Sequence, residues 1–266
     1  MDESQARNDA LRAAAPAAIV IDGVARQFNS RGQSVTALDN VNLQIGDGEF
    51  VSFLGPSGCG KSTLFMIVAG LLAPSRGEVR IAGRRVDRPV TDIGIVFQQD
   101  LLVDWRTVLE NVLLQAEVRR LPLAPARERA RQLLQQVGLA GFENRRPWEL
   151  SGGMRQRAAI CRALLHDARI LMMDEPFGAL DALTRDQMNL DLQALWSQTR
   201  RTAILVTHSI SEAIFLSDRV VVMSPRPGRV ILDLRIDLPR PRTIEMRDSA
   251  EFVAYQKQLR GMIGAH

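Results

Sequence analysis

Gly55-Pro56-Ser57-Gly58-Cys59-Gly60-Lys61-Ser62-Thr63 decides the fold. The stretch fits the template G-x-x-x-x-G-K-[ST], whose glycines let the backbone turn tightly enough for its N–H groups to converge on a phosphate. Glu49–Leu54 ahead of it reads as a buried strand. Leu64–Ala69 behind it reads as the start of a buried helix, whose positive N-terminal end adds to the anion site. Lys61 is expected to reach the outer phosphates of a nucleotide, and the Ser62 hydroxyl to ligate Mg²⁺. A glycine-rich turn that matched by chance would have no need of lysine. Among 34 basic residues only Lys61 and Lys257 are lysines. A compact ammonium suits a phosphate in a tight backbone nest better than a planar guanidinium does. Cys59, inside the loop, reads as a small space-filler that could also make the site sensitive to thiol reagents.

The whole chain sets the bounds. Its 266 residues allow one large domain or two small ones with ample core. With 46% apolar and 24% charged residues it has the composition of an ordinary soluble globular protein. The net charge is only +4 and the basic residues are scattered, so no nucleic-acid partner is expected. Two cysteines, Cys59 and Cys161, make no disulfide framework and fit a reducing compartment. No uncharged apolar run reaches the roughly 18 residues of a membrane-spanning helix. The acidic start Met1-Asp2-Glu3-Ser4 is a poor secretory signal. A cytoplasmic protein is expected, with any membrane contact made through a partner.

Along the chain, residues 1–18 read as a loose tail. Ile19–Ile21 and Val24–Phe28 form strand, Gly32-Gln33 is a turn, and Ala37–Ile45 alternates apolar and polar residues as a half-buried strand does. Phe28 in this β-rich opening reads, taken alone, as core. Glu78–Ile81 and Gly83–Val86 suggest a hairpin, and Asp92–Phe97 another buried strand ending at Gln98-Gln99. Residues 99–148 form a helical insert, with helices over Val108–Arg120 and Ala124–Val137 separated by the Pro122-to-Pro125 stretch. Ser151 is a plausible N-cap for a helix through Leu165, which puts Gly152 and Gly153 at a second helix N-terminus and a second potential anion site. Helix follows over Ala182–Arg200, strand over Ala203–Thr207 ending at His208, helix from Ser211, strand over Arg219–Met223 and strand over Ile231–Leu238. A tail, 239–266, carries a short helix near Phe252–Ile263. Strands alternating with helices specify an α/β fold with a largely parallel sheet.

Asp174 follows the apolar run Ile170-Leu171-Met172-Met173, so it stands at the carboxyl end of a buried strand, where ligands collect in open parallel sheets. A carboxylate there suits Mg²⁺ held together with Ser62. Glu175 beside it could polarise or deprotonate an attacking water. A buried carboxylate pair can be structural; its coincidence with the phosphate-cradling loop favours chemistry.

At this point the chain resembles the ATP-binding subunit of an ABC transporter. The carrying residues are the 55–63 loop, Gln98, Leu150-Ser151-Gly152-Gly153-Met154-Arg155-Gln156, the Ile170-to-Glu175 strand, Ala179-Leu180-Asp181 and His208, in matching order along nearly the whole chain. The resemblance implies a P-loop NTPase core over 19–238, with an N-terminal antiparallel β subdomain and a helical subdomain insert. It also implies ATP and Mg²⁺ as cofactors and real ATPase activity. By the same resemblance, Phe28 stacks on adenine and Gln98 senses Mg²⁺ and the attacking water. His208 contacts the γ-phosphate, and Asp181 communicates across a dimer. Ser151, Gly152, Gly153 and Gln156 belong to the signature that caps the γ-phosphate of a second copy of the chain. Integral membrane permease subunits are the expected partners, with a solute-binding protein engaged indirectly, and the expected site is the cytoplasmic face of a bacterial inner membrane.

Val96-Phe97-Gln98-Gln99-Asp100-Leu101-Leu102-Val103-Asp104-Trp105 resembles the nitrate, sulfonate and taurine import family, although Val103-Asp104 departs from that family's usual residues before the tryptophan. Phe177–Asp181 and Met223-Ser224-Pro225-Arg226-Pro227-Gly228-Arg229 fit the same family. Trp105 itself reads equally as core or as partner-facing. Uptake of a small anion is the expectation. The alternative is a non-transport ATPase of the same superfamily acting in regulation, translation or repair; such proteins usually carry two cassettes or a long coiled-coil insertion, and this chain has neither.

Overall fold

The computed structural model describes residues 17–30, 33–178 and 180–264. Most of the expected tail, Gly32 of the expected turn and Ala179 of Ala179-Leu180-Asp181 lie outside the described residues. In chain order the strands are β1 (Ala17–Ser30), β2 (Gln33–Gly46), β3 (Phe50–Leu54), β4 (Arg76–Ile81), β5 (Arg84–Arg85), β6 (Ile93–Val96), β7 (Ile170–Asp174), β8 (Thr202–Thr207), β9 (Arg219–Met223) and β10 (Val230–Arg235). The helices are α1 (Lys61–Val68), α2 (Val108–Val118), α3 (Leu123–Gln136), α4 (Gly152–Leu165), α5 (Ala182–Thr199), α6 (Ile210–Leu216) and α7 (Ala250–Gly264). They cluster into two compact units. Of the described residues, one holds those up to Thr91, those of Arg200–Asp237 and those from Val253 on; the other holds those of Asp92–Thr199 and Leu238–Phe252.

The first unit has two kinds of strand, as its sequence dictates. β1 and β2 form a long antiparallel pair, extended to the order β2-β1-β4-β5. Alternate residues Ile19 and Ile21 on β1, and Val41, Leu43 and Ile45 on β2, are buried, which fixes the register, since a slip of one residue would turn this set to solvent. β3 and β8 instead read Phe-Val-Ser-Phe-Leu and Thr-Ala-Ile-Leu-Val-Thr with every residue buried, the pattern of strands covered on both faces. They run parallel to each other, β3 also runs parallel to β9, and β10 closes the edge antiparallel to β9.

The second unit pairs β6 and β7 in parallel and packs helices around them. Gly94 lets α4 approach: a Cβ there would stand 2.4 Å from the Ala163 carbonyl. α2 opens on a capping box. The Thr107 hydroxyl accepts from the Glu110 N–H and the Glu110 carboxylate accepts from the Thr107 N–H; that bond first, and the Thr107 side chain second, hold the carboxyl below the usual range. α3 begins at Leu123, so Pro125 lies inside its first turn. A proline is tolerated there because first-turn N–H groups have no intrahelical carbonyl to bond. The helices are thus separated by residues 119–122, a link as long as the Pro122-to-Pro125 stretch but three residues earlier.

Asn111 holds the turn ahead of α2. Its side chain is fully buried, donates to the carbonyls of Val103, Arg106 and Thr107 and accepts from the Val103 N–H. Asn111→Ala should therefore lower stability by about 2–4 kcal/mol, the cost of several buried backbone groups left without partners. Chemical denaturation with an unchanged slope and an earlier midpoint checks this; an unshifted midpoint refutes it.

Candidate functional site

In the first unit three strand ends lie side by side. Leu54 of β3 pairs with Thr207 of β8 on one flank and Val222 of β9 on the other. The chain therefore leaves that edge as the 55–63 loop, as His208 and as Ser224–Arg229. Parallel sheets gather ligands at this carboxyl edge. The loop turns through Gly58 and Gly60, at φ 76° and 106°, backbone that residues with a Cβ rarely adopt. Gly60 caps α1, and first-turn amides of a helix are left without intrahelical acceptors. Lys61 is buried at 4% exposure, and its ammonium donates to the carbonyls of Gly55 at 2.7 Å and Pro56 at 3.0 Å. Its third partner is the Cys59 sulfur at 3.8 Å, and no carboxylate pairs with Lys61 among the described residues, so the loop carries a positive charge with no carboxylate beside it. That is the electrostatic preparation an anion needs.

The remaining candidates in this unit are exposed to different degrees. Ser62 is exposed on the first turn of α1, with Thr63 half-buried beside it. Pro56, Ser57 and Gly58 form the outer rim of the loop. Cys59 is buried against it, which fits a space-filling role. Cys161, in the other unit, is a free thiol pushed up to about 12 by burial. His208 is exposed directly after β8. Phe28 is 41% exposed with the Arg26 guanidinium over its ring, so the core role its position alone suggested is not what the structure has.

In the second unit Val96 pairs with Met173, so Gln98 and the Asp174-Glu175 pair follow adjacent parallel strand ends. Glu175 has φ 45°, a left-handed conformation unusual for a side-chain-bearing residue. Ser151 caps α4, accepting from the Met154 N–H. Gly153 brings α4 against the first turn of α5: a Cβ there would stand 2.7 Å from Thr184 Cγ2. Thr184 in turn donates its hydroxyl and N–H to Asp181 at 2.7 and 3.0 Å, bonds that hold the Asp181 carboxyl below its ordinary range. Ser151, Gly153, Arg157, Leu183 and Thr184 line an open cleft of about 350 Å³, at whose side Leu183 is 83% exposed. Gln156 is buried, its amide 3.5 Å from the Phe97 carbonyl. Trp105 is 77% exposed, which decides its two readings against core.

Two features escaped the sequence. The strained φ of Glu175 has no local signature. Ser224–Arg229 abuts the 55–63 loop, and its Pro-Arg-Pro-Gly run after an apolar strand was the available signal. Its neighbour depends on β9 lying next to β3, a pairing more than 160 residues apart along the chain.

A profile described as ABC transporter matches residues 38–178. An aliphatic sulfonates import ATP-binding protein of Bacillus cereus is 44% identical over 225 residues, covering 85% of this chain and 88% of the relative. A taurine import ATP-binding protein of Rhizobium johnstonii is 45% identical over 238 residues, covering 87% and 90%. A solved ATP-binding cassette, dimeric in a post-hydrolysis state with ADP and Pi, superposes with a TM-score of 0.74 at 34% identity and covers 83% of this chain and all of its own. With more than half its length inside the family profile and such relatives across nearly all of it, the chain belongs to the ABC transporter family as an ATP-binding subunit.

Proposed function

We propose that this chain hydrolyses ATP to drive uptake of a small anion of the nitrate, sulfonate or taurine type. The observation that carries the reading is the buried Lys61 ammonium, bonded to two carbonyls and the Cys59 sulfur, with no carboxylate partner among the described residues, in a glycine loop at the carboxyl edge of parallel strands. The relatives named for aliphatic sulfonates and taurine supply the solute class.

In this reading the ATP-binding domain spans 19–238, with helical residues 99–148 inserted and 239–266 as a C-terminal addition. The loop from Gly55 to Thr63 wraps the triphosphate: its N–H groups and Lys61 bind the phosphate oxygens, and Phe28 stacks on the adenine ring. The donor set suits Mg²⁺, which takes one or two carboxylates plus phosphate oxygens and keeps its waters. Ser62, Gln98 and Asp174 offer a hydroxyl, an amide and a carboxylate of that kind. Bound there, the ion would neutralise charge on the phosphate oxygens. Glu175 accepts the proton of the attacking water, Gln98 orients that water, and His208 donates to the γ-phosphate as charge develops on it. Gln156 is turned to the Phe97 carbonyl, so we assign it to supporting the chain beside Gln98.

Ser151, Gly152 and Gly153 would close the γ-phosphate of a second copy, with Asp181 at the same junction; the cleft and exposed Leu183 suit a subunit interface. ATP then bridges two copies and hydrolysis releases them. Exposed Trp105 suits contact with a membrane permease; in this reading the protein sits peripherally on the cytoplasmic face, with a solute-binding protein engaged through that permease. Mild-detergent purification should recover the chain with a hydrophobic membrane subunit. The reconstituted complex should then couple ATP hydrolysis to sulfonate, taurine or nitrate uptake. Uptake of cations or peptides alone would sink the solute assignment.

A further inference from the structure

We propose that Ser224–Arg229 is a bracket that sets the geometry of the phosphate loop, with Gly228 and Arg226 as its positioning residues; this rests on the reading of residues 55–63 as the ATP site. Val222 lies opposite Leu54, so the bracket and the loop leave the sheet as neighbours. Gly228 packs straight onto the loop: a Cβ on it would stand 2.1 Å from the Cys59 carbonyl oxygen. Its φ lies outside the left-handed region, so glycine is required for space, not for conformation. The Arg226 guanidinium donates to the Gly58 carbonyl at 3.2 Å. Of two successive loop carbonyls, that of Gly58 is therefore bonded and that of Cys59 is packed against by the bracket.

A planar trans peptide points its C=O and the following N–H in opposite directions. Packing against the Cys59 carbonyl therefore turns the Gly60 N–H to the far side, where convergent N–H groups make a phosphate nest. The bracket can do this because it is itself fixed. Gly228 donates to the Ala37 carbonyl at 2.9 Å and its carbonyl accepts from the Asp39 N–H at 3.0 Å. The Ser224 hydroxyl lies 3.0 Å from the Pro227 carbonyl and accepts from the Arg229 N–H at 3.1 Å. Arg229 is ion-paired with Asp39 at 2.5 Å. A side chain at 228 thus cannot be absorbed by retreat of the bracket, and the displacement falls on the phosphate loop.

The loop would have to yield by about 1 Å at Cys59, and misplacement of that size in a binding constellation costs on the order of 10- to 100-fold. Gly228→Ala should weaken ADP binding by that factor, measured by titration calorimetry. It should also shrink the rise in unfolding temperature that ADP produces, a difference read separately from whatever the added Cβ takes from the nucleotide-free unfolding temperature. Should Gly228→Ala not fold, exposed Arg226 carries the test. Arg226→Ala should raise KM for ATP roughly 3- to 10-fold, the worth of one charged hydrogen bond, with kcat within about twofold, and Arg226→Lys should restore most of it. Wild-type ADP affinity in Gly228→Ala, or unchanged KM in Arg226→Ala, overturns the bracket. Wild-type protein that binds no ADP overturns the ATP-site reading, and the bracket with it.

Discussion

Lys61→Ala should lose ATP hydrolysis by at least a factor on the order of 100, with nucleotide affinity falling alongside. The reason is charge placement. The Lys61 ammonium is held against the Gly55 and Pro56 carbonyls, buried and without a carboxylate partner among the described residues. A cation in such a site acts at low dielectric, where removing one preorganised donor typically costs about 10²–10³ in rate. The effect on the empty fold should be far smaller, because two terms oppose. Two carbonyls lose a charged donor, at about 1–3 kcal/mol each where no water replaces it. Against this, an ion buried without a counter-charge disappears, and that relieves a desolvation penalty of comparable size. Lys61→Arg should fail almost as badly as alanine, because a planar guanidinium cannot occupy the point between the two carbonyls. ATPase assays and ADP titration of both variants check this. An alanine variant retaining more than about a tenth of wild-type turnover would remove Lys61 from the chemistry.

How much of this was legible in the residues depends on how local the signal is. The 55–63 loop, the buried strand β3 and the Ser151 cap each sit within a few positions, and physics at that range reads directly from order and type. Asp174 was legible for the same reason: four apolar residues lead to it and place it at a strand end. Phe28 and Trp105 were not, because an aromatic in an apolar context is core or surface according to what packs opposite, which periodicity does not report. Pro125 was misread as a separator because a proline breaks a helix interior yet is tolerated in a first turn, and the boundary shifted by one residue. The contact of Gly228 with Cys59 follows only once β9 is known to pair with β3. Segments that meet through sheet order carry no mark of each other in sequence.

Glu175 joins both kinds of information. Its carboxylate was legible as a candidate base; its backbone at φ 45° was not. Left-handed backbone costs a residue with a Cβ roughly 1–2 kcal/mol, whereas glycine adopts it freely. Such strain gathers at functional sites, where the surrounding structure imposes a conformation the residue would not choose. Side chain and backbone can therefore be separated by three substitutions. Glu175→Gln keeps shape and backbone and removes only the proton acceptor. Hydrolysis should fall by about 10²–10⁴-fold, while ATP should still bind and should hold the protein as a dimer on a sizing column. Glu175→Ala and Glu175→Gly should lose hydrolysis equally. Their stabilities should divide, with glycine above alanine by about 1 kcal/mol, the reverse of their usual order in helices and strands, because only glycine releases the strain. Turnover in Glu175→Gln within about threefold of wild type would exclude the carboxylate as base. Alanine at least as stable as glycine would show that the left-handed backbone stores no energy. If both expectations hold, the position is one at which folding alone would select glycine, and the acid is present because the attacking water needs it.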